Sequence, residues 1–325
     1  MKQIIINKND SSNRLDKFIE KSFPSIPKSL IYKSIRKKRI KVNGKKSECS
    51  YKVQENDVID LYLNDEFFSA KKTPNDFKNA GNNLDIIYED ENIILVNKKA
   101  GLVVHPDKNF QSDCLINRIK NYLFKKQEYN PMEENSFSPS LVNRIDRNTC
   151  GIVIAAKNAE SLRILNEKMK SREIHKTYIC IVCGKMQKKS DILKGFLEKN
   201  NALNKVYISK NGFPSESSKT VLTKYTALDC GKNFSLLEVE LLTGRTHQIR
   251  AHLASIGYPL LGDGKYGKNS INREFKYKYQ ALCSYKLKFE FNSDAGILNY
   301  LSKKDFSIEK DKIWFIKDFY ENLKN

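Results

Sequence analysis

Two polar segments of the sequence combine residue types that could carry out chemistry. In the first, residues 143–151, Asp146 stands between Arg144 and Arg147, immediately before an apolar run. A neighbouring guanidinium favours the ionised form of a carboxylate, which suits a nucleophile or an electrostatic stabiliser better than a general acid. The same spacing is equally compatible with an aspartate that caps a turn between two exposed arginines. The residues alone therefore leave both interpretations open.

The second segment, residues 242–252, has the sequence Leu-Thr-Gly-Arg-Thr-His-Gln-Ile-Arg-Ala-His. A strand, a Thr-Gly turn and a helix start would direct Arg245 and free backbone N–H groups into a cleft, and helix N-termini bind anions well. The alternative is a plain strand-to-helix turn in which Gly244 only relieves the backbone. The glycine-rich run that follows, residues 257–267, indicates a tightly turning loop and no particular chemistry.

Motifs for several other chemistries are weak or missing in the sequence. It contains neither GxxxxGK[ST] nor GxSxG. His247 and His252 are five positions apart on a predicted helix, so they do not share a face well. Cys180 and Cys183 form a CxxC inside an alternating strand pattern, which directs residues three apart to opposite faces. We therefore expect no metal and no cofactor.

Length and charge indicate a protein of two domains with a polyanionic partner. The chain has 325 residues, which suits two domains of ordinary size. Lys+Arg is 58 and Asp+Glu is 38, so the formal net charge is +20, an excess typical of proteins that bind nucleic acid. The alternative is a solvated basic face that serves solubility.

The lengths of the apolar runs and the number of cysteines indicate the expected cellular compartment of the protein. No stretch approaches the ~18 apolar residues of a membrane span, and the apolar run near the first residue is shorter than that of a signal peptide. The seven cysteines are odd in number and scattered, as expected for free thiols in a reducing compartment. We therefore expect a cytoplasmic protein with no membrane association.

Residues 1–67 are predicted to form a small α/β domain with one basic face. A first helix begins with Asn13 as its N-cap, and residues 28–39 predict a second helix. Asn43-Gly44 is a strong signal for a tight hairpin turn. Basic residues around the second helix could position a nucleic acid through its phosphates without reading its sequence. These residues are Lys28, Lys33, Arg36, Lys37, Lys38 and Arg39.

A polar linker over residues 68–83 separates this domain from a second one over residues 84–325. Many strands and few helices are predicted in the second domain. The strands lie on either side of residues 89–92 and at 151–157, 176–184, 219–228, 234–243 and 279–291, and the helices at 161–171 and 246–257. This pattern favours an α+β fold with a mixed, mainly antiparallel sheet over a doubly wound βαβ arrangement.

The first domain resembles a known RNA-binding module. Arg14-Leu15-Asp16, the basic second helix, residues 40–44 and residues 53–59 together resemble the RNA-binding domain named after ribosomal protein S4. The resemblance implies that residues 1–67 bind RNA through the basic face, to which Arg14 is expected to belong.

The second domain resembles the RluA-type RNA pseudouridine synthases in four ordered segments. These segments are residues 88–106, 143–151, 176–178 and 241–267. The chain departs from the usual family pattern at four positions, with Lys99 for Pro, Asn143 for His, Ile145 for Leu and Cys150 for Ser. None of these departures removes the aspartate, the tyrosine or the arginine of the family site, but they leave the role of Asn143 open.

The resemblance implies a catalytic domain with a central cleft and assigns its site residues. Asp146 matches the catalytic aspartate, and Tyr178 matches the tyrosine that lies against the uracil ring. Arg245 is expected to pair with the aspartate, with Arg250 as the fallback for that pairing. Further contacts with RNA are expected from Arg144, Arg147, Lys176 and Arg250.

The implied reaction suits these residue types. Conversion of uridine to pseudouridine breaks the bond from ribose to the base nitrogen, turns the base and rebonds it through carbon, so no redox cofactor is required. One carboxylate could attack the sugar or act as a base. The uridine has to leave the helical stack to be reached, and an aromatic ring such as Tyr178 can then stack on it. Without the resemblance, Tyr178 would be interpreted as a core residue of an alternating strand.

The sequence therefore predicts an RNA pseudouridine synthase, an isomerase that acts on large-subunit ribosomal RNA, with no required protein partner evident. A catalytically silent RNA-binding or ribosome-assembly protein is the alternative, since the charge and the first domain suit it equally well. An RNA N-glycosidase that releases free base is a second alternative. The combination of Asp146, Tyr178 and Arg245 favours the synthase, because binding alone does not require it.

Overall fold

The structure, a computed structural model, describes residues 1–68, 75–106, 112–211 and 218–324. Its helices are α1 (Leu15–Ser22), α2 (Lys28–Arg36), α3 (Leu115–Lys125), α4 (Ala159–Lys170), α5 (Gln248–Ser255), α6 (Asn269–Glu274) and α7 (Ile316–Asp318). Short 3-10 or π turns lie at Asp65–Phe68, Asn75–Asn79, Gly296–Leu301, Lys310–Lys312 and Phe319–Leu323. No helix within the described residues is both long enough and apolar enough to cross a membrane.

Within the part of the chain that the structure describes, fifteen strands form two separate sheets. The strands are β1 (Lys2–Ile5), β2 (Ile40–Val42), β3 (Lys45–Lys46), β4 (Val58–Leu61), β5 (Ile86–Glu89), β6 (Ile93–Lys98), β7 (Ser140–Leu141), β8 (Cys150–Ala156), β9 (Ile174–Cys183), β10 (Ser190–Asn200), β11 (Lys205–Ser209), β12 (Lys219–Cys230), β13 (Phe234–Leu241), β14 (Leu282–Phe289) and β15 (Asp305–Ser307).

The N-terminal unit consists of an antiparallel sheet, with strand order β1-β4-β2-β3, and the helices α1 and α2. The predicted apolar stripe of the first helix is confirmed, because Leu15, Phe18 and Ile19 are buried. Asn43 and Gly44 both have positive φ and join β2 to β3, as expected for a two-residue hairpin turn. This unit therefore has its own apolar core, and its basic side chains lie outside that core.

The start of α1 differs from the prediction. The prediction that Asn13 caps this helix is wrong, because Arg14 occupies the N-cap position with an extended backbone and no side-chain cap. The Asn13 amide instead donates to the backbone carbonyl of Asp10 at 2.9 Å, so its polar group is used in the preceding turn. Helix α2 is shorter than predicted, since it ends at Arg36 and residues 37–39 follow it.

The larger unit is built on a sheet of eleven strands that is mixed and mainly antiparallel, as predicted. The strand order is β11-β10-β12-β13-β9-β14-β8-β6-β5, with β15 added to β14 and β7 added to β8. Among the described strands, only β8 and β14 pair in parallel. Position 151 has to be glycine there, since a Cβ would lie 2.3 Å from the Ser284 carbonyl oxygen and φ is +114°.

Apolar side chains cover both faces of this sheet. Strand β8 is buried throughout, and Ile152 faces the core beneath α4 and α7, whereas Val153 faces the core beneath α3 and α5. Cys180 and Cys183 of β9 also belong to opposite cores, as the alternating pattern predicted. Because β8 is fixed on both faces, the loop that immediately precedes it starts from a rigid base.

Part of the predicted linker packs on the larger unit. Residues 69–74 of that linker lie outside the described residues, whereas Asn75–Asn79 form a short 3-10 helix. Phe77 in this helix is buried, and its ring centroid lies 5.9 Å from that of Phe124 in α3. Helix α3 and the hairpin of β10 and β11 have no counterpart among the predicted elements.

Polar contacts around Asp10 join the N-terminal unit to the larger one. This aspartate is fully buried. Its Oδ1 accepts hydrogen bonds from the backbone N–H and the hydroxyl of Ser136, at 3.1 and 2.6 Å, and its Oδ2 accepts one from the amide of Asn135 at 2.7 Å. Beside it, Asn9 accepts a hydrogen bond from the backbone N–H of Ala159, at the start of α4, at 3.1 Å. The turn before α1 therefore docks the N-terminal unit on the sheet domain.

We expect Asp10→Ala to loosen this docking, because the buried donors of Ser136 and Asn135 lose their acceptor. The free energy of unfolding should fall by about 1–3 kcal/mol, and amide hydrogen exchange at Ser136 should become faster. Asp65→Ala is the control, since that carboxylate is 89% exposed and its ion pair is with the N-terminus. Equal exchange rates at Ser136 in Asp10→Ala and wild type would contradict the docked arrangement.

Candidate active site

The loop between β7 and β8 presents Asp146. Asn143 at the start of the loop is buried, and its side chain accepts a hydrogen bond from the backbone N–H of Ile154 at 2.8 Å and donates one to the carbonyl of Ile152 at 3.4 Å. Ile145 is buried in the core beneath α3 and α5. The Asp146 side chain, by contrast, is 28% exposed. Asn143 therefore ties the loop to β8, and Ile145 anchors it, while the carboxylate of Asp146 points out of the core.

Arg250 is the partner of Asp146. Its Nη1 donates to Oδ2 of Asp146 at 2.6 Å, and its side chain is only 9% exposed. Arg250 lies in the first turn of α5, which begins at Gln248 and packs on the sheet. The guanidinium therefore sits in a fixed place beside the carboxylate, where its charge is poorly screened by water.

The expectation that Arg245 pairs with Asp146 is corrected by this geometry. Arg245 is exposed in the turn before α5, and no ion pair of this residue is found among the described residues. Its backbone N–H donates to Oε1 of Gln248 at 3.0 Å, and the hydroxyl of Thr243 donates to the same oxygen at 2.8 Å. Gln248 thus closes the turn. It accepts the hydrogen bond of the Arg245 backbone N–H, which the sequence had suggested would be available to bind an anion. Arg250, the fallback, occupies the pairing position because it lies inside the helix, on its buried side.

Arg250 is held from its other side by Asp263. Nε and Nη2 of the guanidinium donate to Oδ2 and Oδ1 of Asp263 at 2.7 and 2.8 Å, and Asp263 is fully buried. Burial alone would disfavour the charge of Arg250, but the hydrogen bonds to Asp263 and the two neighbouring carboxylates raise its pKa above the usual value. Burial would also raise the pKa of Asp263, but the Arg250 guanidinium holds that pKa below its usual value. Arg250 is therefore a permanent cation between two carboxylates.

His247 also faces the loop between β7 and β8. It stands immediately before α5 with φ of +52°, an uncommon conformation for a non-glycine residue. Its Nε2 lies 3.9 Å from Oδ2 of Asp146, and its Nδ1 lies 3.0 Å from the hydroxyl of Tyr266. Burial lowers the pKa of His247, although the charge of Asp146 opposes that shift. We therefore take the imidazole as neutral at pH 7, at the edge of the site.

Strand β9 brings two further residues to the same region. Tyr178 is 6% exposed, belongs to the same core as Ile145, and pairs across the sheet with Val239 of β13. Burial raises the pKa of Tyr178 to about 12, so the side chain is a neutral phenol at pH 7. Lys176 is half-buried, burial lowers its pKa, and its Nζ would lie 3.9 Å from a Cβ at Gly244, in the turn that presents Arg245.

Lys98 fixes the other end of the loop that presents Asp146. This lysine is buried, and its Nζ donates to the carbonyls of Lys99, Leu102 and Arg147 at 2.9, 2.8 and 2.9 Å. Burial lowers the pKa of Lys98 to about 7. Arg147 is also held through its side chain, whose Nε donates to the Gly101 carbonyl at 3.1 Å. The residue that follows Asp146 is thus tied to the segment after β6.

Three of these residues, Lys98, His247 and Asp263, were not singled out as site residues in the sequence. All three lie within the segments that resemble the synthases, so the resemblance could have marked them as candidates. Asp263 is an acidic residue inside an apolar and glycine-rich run, and Lys98 ends a strand whose first four residues are aliphatic and buried. A charge in such surroundings indicates a buried partner, but the sequence does not say which one.

Nine of the eleven predicted RNA-binding residues are exposed and fall into two groups. Of the other two, Lys176 is half-buried, and Arg250 is buried and bound to Asp146 and Asp263, which does not agree with its expected contact with RNA. Arg144 and Arg147 are exposed on either side of Asp146. The other group is exposed on the N-terminal unit and comprises Arg14, Lys28, Lys33, Arg36, Lys37, Lys38 and Arg39. Two of its members are in ion pairs, Arg14 with Asp16 and Lys28 with Glu20, each at 2.7 Å. The structure therefore separates the N-terminal basic group from the arginines that flank Asp146.

Comparison with known proteins identifies the family. The family model described as RNA pseudouridylate synthase matches residues 92–255, and the S4 domain model matches residues 13–59. The chain is 36% identical to an uncharacterised RNA pseudouridine synthase of Mycoplasma capricolum subsp. capricolum, over 94% of this chain and 96% of that protein. It is 33% identical to the ribosomal large subunit pseudouridine synthase C of Buchnera aphidicola, over 85% of this chain and 84% of that protein.

A solved structure shares the fold. The structure of the human protein named RNA Pseudouridylate Synthase Domain Containing 4 superposes on this chain with a TM-score of 0.58. The two are 18% identical, and the match covers 72% of this chain and 91% of that chain. The chain belongs to the RNA pseudouridine synthase family and has an S4 domain in its N-terminal unit. It is an isomerase that converts uridine in RNA to pseudouridine.

We expect Arg250→Lys to slow the conversion step more than Arg245→Lys does. A lysine cannot contact two carboxylates through a planar fork, so Arg250→Lys should lower the single-turnover rate about tenfold or more, ~1.4 kcal/mol of barrier. Arg245→Lys keeps the charge of an exposed side chain and should keep a rate near that of wild type. Both rates are measured at saturating protein on a short uridine-containing RNA. A larger loss for Arg245→Lys than for Arg250→Lys would return the pairing role to Arg245.

We expect the ring of Tyr178 to matter more than its hydroxyl. Tyr178→Phe keeps the buried ring and should retain most of the turnover, whereas Tyr178→Leu removes the aromatic surface, for which stacking on a base is worth about 1–3 kcal/mol. Because Tyr178 is buried, the thermal stability of each variant has to be measured beside its rate. Wild-type turnover in a less stable Tyr178→Leu variant would show that the ring serves packing alone.

Proposed function

We propose that Asp146 is the catalytic carboxylate and that the site acts on uridines of large-subunit ribosomal RNA in the cytoplasm. The observation that supports the role of Asp146 is its geometry, a partly exposed carboxylate beside a buried guanidinium. The ribosomal substrate is supported by relatives of the synthase C type, such as the Buchnera aphidicola protein. The S4 domain and the net charge of +20 support an RNA substrate in general.

The hydrogen bonds of Asp146 leave one carboxylate oxygen for the substrate. Oδ2 accepts the hydrogen bond from Arg250. Among the described residues no hydrogen bond reaches Oδ1, so this oxygen is the one we assign to the ribose of the target uridine. From there it could attack C1′ or take a proton from the sugar. In either case the net change moves one proton from C5 of the base to N1 and requires no second substrate.

The surroundings of Asp146 suit a uridine that has left the helical stack. Arg144 and Arg147 are exposed beside it, where they can contact phosphates next to the target nucleotide. Tyr178 is buried in the same core as Ile145 of the loop, and we assign its ring to the contact with a base that enters the site. The N-terminal basic group adds contacts to more distant phosphates, which increase affinity without reading the sequence.

The two alternatives fit the geometry less well. An N-glycosidase commonly uses one carboxyl group as acid and a second as base or nucleophile. Here the neighbouring carboxylate, Asp263, is fully buried and bound in a bidentate pair by Arg250, so it has no access to water or a leaving group. A silent RNA-binding protein would have no need for a partly exposed aspartate beside a buried arginine.

We expect Asp146→Asn to fold, to bind RNA as wild type does and to form no pseudouridine. The amide is nearly isosteric and removes only the charge and basicity of the carboxylate. Pseudouridine is measured by mass spectrometry of digested RNA, free uracil by chromatography, and RNA affinity by filter binding.

Asp191→Asn is the matched control. Asp191 lies on β10 and not in the loop that presents Asp146, and its carboxylate is 36% exposed and pairs with Lys188. It should retain full activity. Full pseudouridine formation by Asp146→Asn would contradict the proposed role, and release of free uracil by wild type would favour the N-glycosidase.

A further inference from the structure

Asp263 does not face the substrate, yet it makes more contacts with Arg250 than Asp146 does. We propose that Asp263 is the positioning residue of the active site, which fixes the guanidinium plane so that a single N–H group, on Nη1, is directed at Asp146. This inference rests on the proposed role of Asp146 as the catalytic carboxylate. It concerns a residue in the glycine-rich run 257–267, to which the sequence assigned no chemistry.

The first support is the division of the guanidinium between the two carboxylates. Nε and Nη2 both bond to Asp263, and Nη1 bonds to Asp146. A bidentate contact fixes the plane of a guanidinium as well as its position, because the two parallel N–H groups match the two carboxylate oxygens. With two of its three nitrogens held, Arg250 cannot rotate to form a second bond with Asp146 or to follow an RNA phosphate.

The second support is that Asp263 is itself immobilised. Its Oδ1 also accepts the backbone N–H groups of Lys265 and Tyr266, at 2.8 and 3.1 Å. Its carbonyl accepts the backbone N–H of Gly267 at 2.8 Å, and a Cβ at position 267 would lie 2.4 Å from that carbonyl oxygen. The turn therefore closes tightly around Asp263, and this closure explains why the segment is rich in glycine.

The third support is the ring of Tyr266, which restrains the same guanidinium from its face. The Arg250 Cζ lies 5.2 Å from the centroid of this ring, within the range of a cation–π contact. The hydroxyl of Tyr266 lies 3.0 Å from Nδ1 of His247, whose other nitrogen faces Asp146. One turn of the chain thus orients both of the basic groups that border the catalytic carboxylate.

The charges lead to the same conclusion. Arg250 and Asp146 alone would form a pair with no net charge, whereas the three groups with Asp263 carry a net charge of −1. The positive charge of Arg250 is thereby shared between two carboxylates. Asp263 thus has two effects on the Arg250 guanidinium. It aligns the guanidinium, and it weakens the attraction between the guanidinium and Asp146.

A double-mutant cycle on Asp263 and Arg250 separates positioning from simple structural support. Asp263→Asn, Arg250→Lys and the double variant are compared by single-turnover rate at saturating protein, with RNA affinity and melting temperature measured for each. If Asp263 acts through Arg250, each single variant lowers the rate about tenfold or more, and the double variant is no slower than Arg250→Lys. Losses that multiply in the double variant would overturn the proposal, as would an unchanged rate in Asp263→Asn.

Asp263→Glu and Asp90→Asn complete the experiment. Glutamate keeps the charge but moves the carboxylate. The Asp263→Glu variant should therefore fold and still have a lower single-turnover rate than wild type. A wild-type rate in this variant would contradict the proposal. Asp90 also accepts two backbone N–H groups, of Asn92 and Ile93 at 2.7 and 2.8 Å, but lies away from Asp146. Its asparagine variant should lose stability without loss of rate.

Nuclear magnetic resonance of the intact wild-type protein gives a readout that needs no variant. The Nε–H of Arg250 should give a slowly exchanging signal if it is bound to a buried carboxylate, and rapid exchange contradicts the proposal. The proposed function can fail separately, because that failure would show as activity in Asp146→Asn. An inactive Asp146→Asn together with a fully active Asp263→Asn would overturn the positioning role alone.

Discussion

The proposed active site depends on one buried guanidinium held between two carboxylates. Arg250 comes from α5, Asp263 from the turn after α5, and Asp146 from the loop before β8, so the contact joins one helix–turn segment to a loop that is distant in sequence. Removing one partner of a buried ion pair leaves an uncompensated charge, at a cost of about 3–5 kcal/mol. The chemistry and the local stability of the fold are therefore coupled at this contact, and every segment near it serves to keep the three groups in place.

The large sheet supplies the rigid frame for that contact. Gly151 lets β8 approach β14, and the buried side chains of β8 fix the strand on both faces. The loop that precedes this strand is then tied down twice, by Asn143 to the β8 backbone and by Lys98 to the carbonyl of Arg147. Because both ends of the loop are held, the partly exposed side chain of Asp146 can be presented with little conformational freedom.

The sequence predicted much of the fold but not all of it. The α+β class, helices α1, α4 and α5 and the central strands were predicted, whereas α3 was missed although its buried Leu115, Ile119 and Leu123 have the spacing of a helical stripe. The buried positions of Asn117 and Asn121 on α3 could not be predicted, because their partners come from elsewhere in the chain. The Asn121 amide donates to the Ala80 carbonyl at 2.6 Å, a partner supplied by the distant linker segment. Spacing also could not choose between Arg245 and Arg250, since that choice depends on which arginine lies inside the helix. The resemblance supplied the segments of the site, and only the three-dimensional contacts supplied the roles of Asn143, Lys98 and Asp263.

The central claim is that Asp146 meets the ribose of the target uridine while Arg250 stays bound to both carboxylates. A crystal structure of the full chain with a uridine-containing RNA hairpin tests it most directly. The account predicts a flipped uridine with a ribose carbon, C1′ for attack or the carbon that loses a proton, at roughly 3–3.5 Å from Oδ1 of Asp146, and an unchanged contact of Arg250 with Asp263. A target uridine bound away from Asp146, or an Arg250 that has left Asp263 for an RNA phosphate, would contradict it.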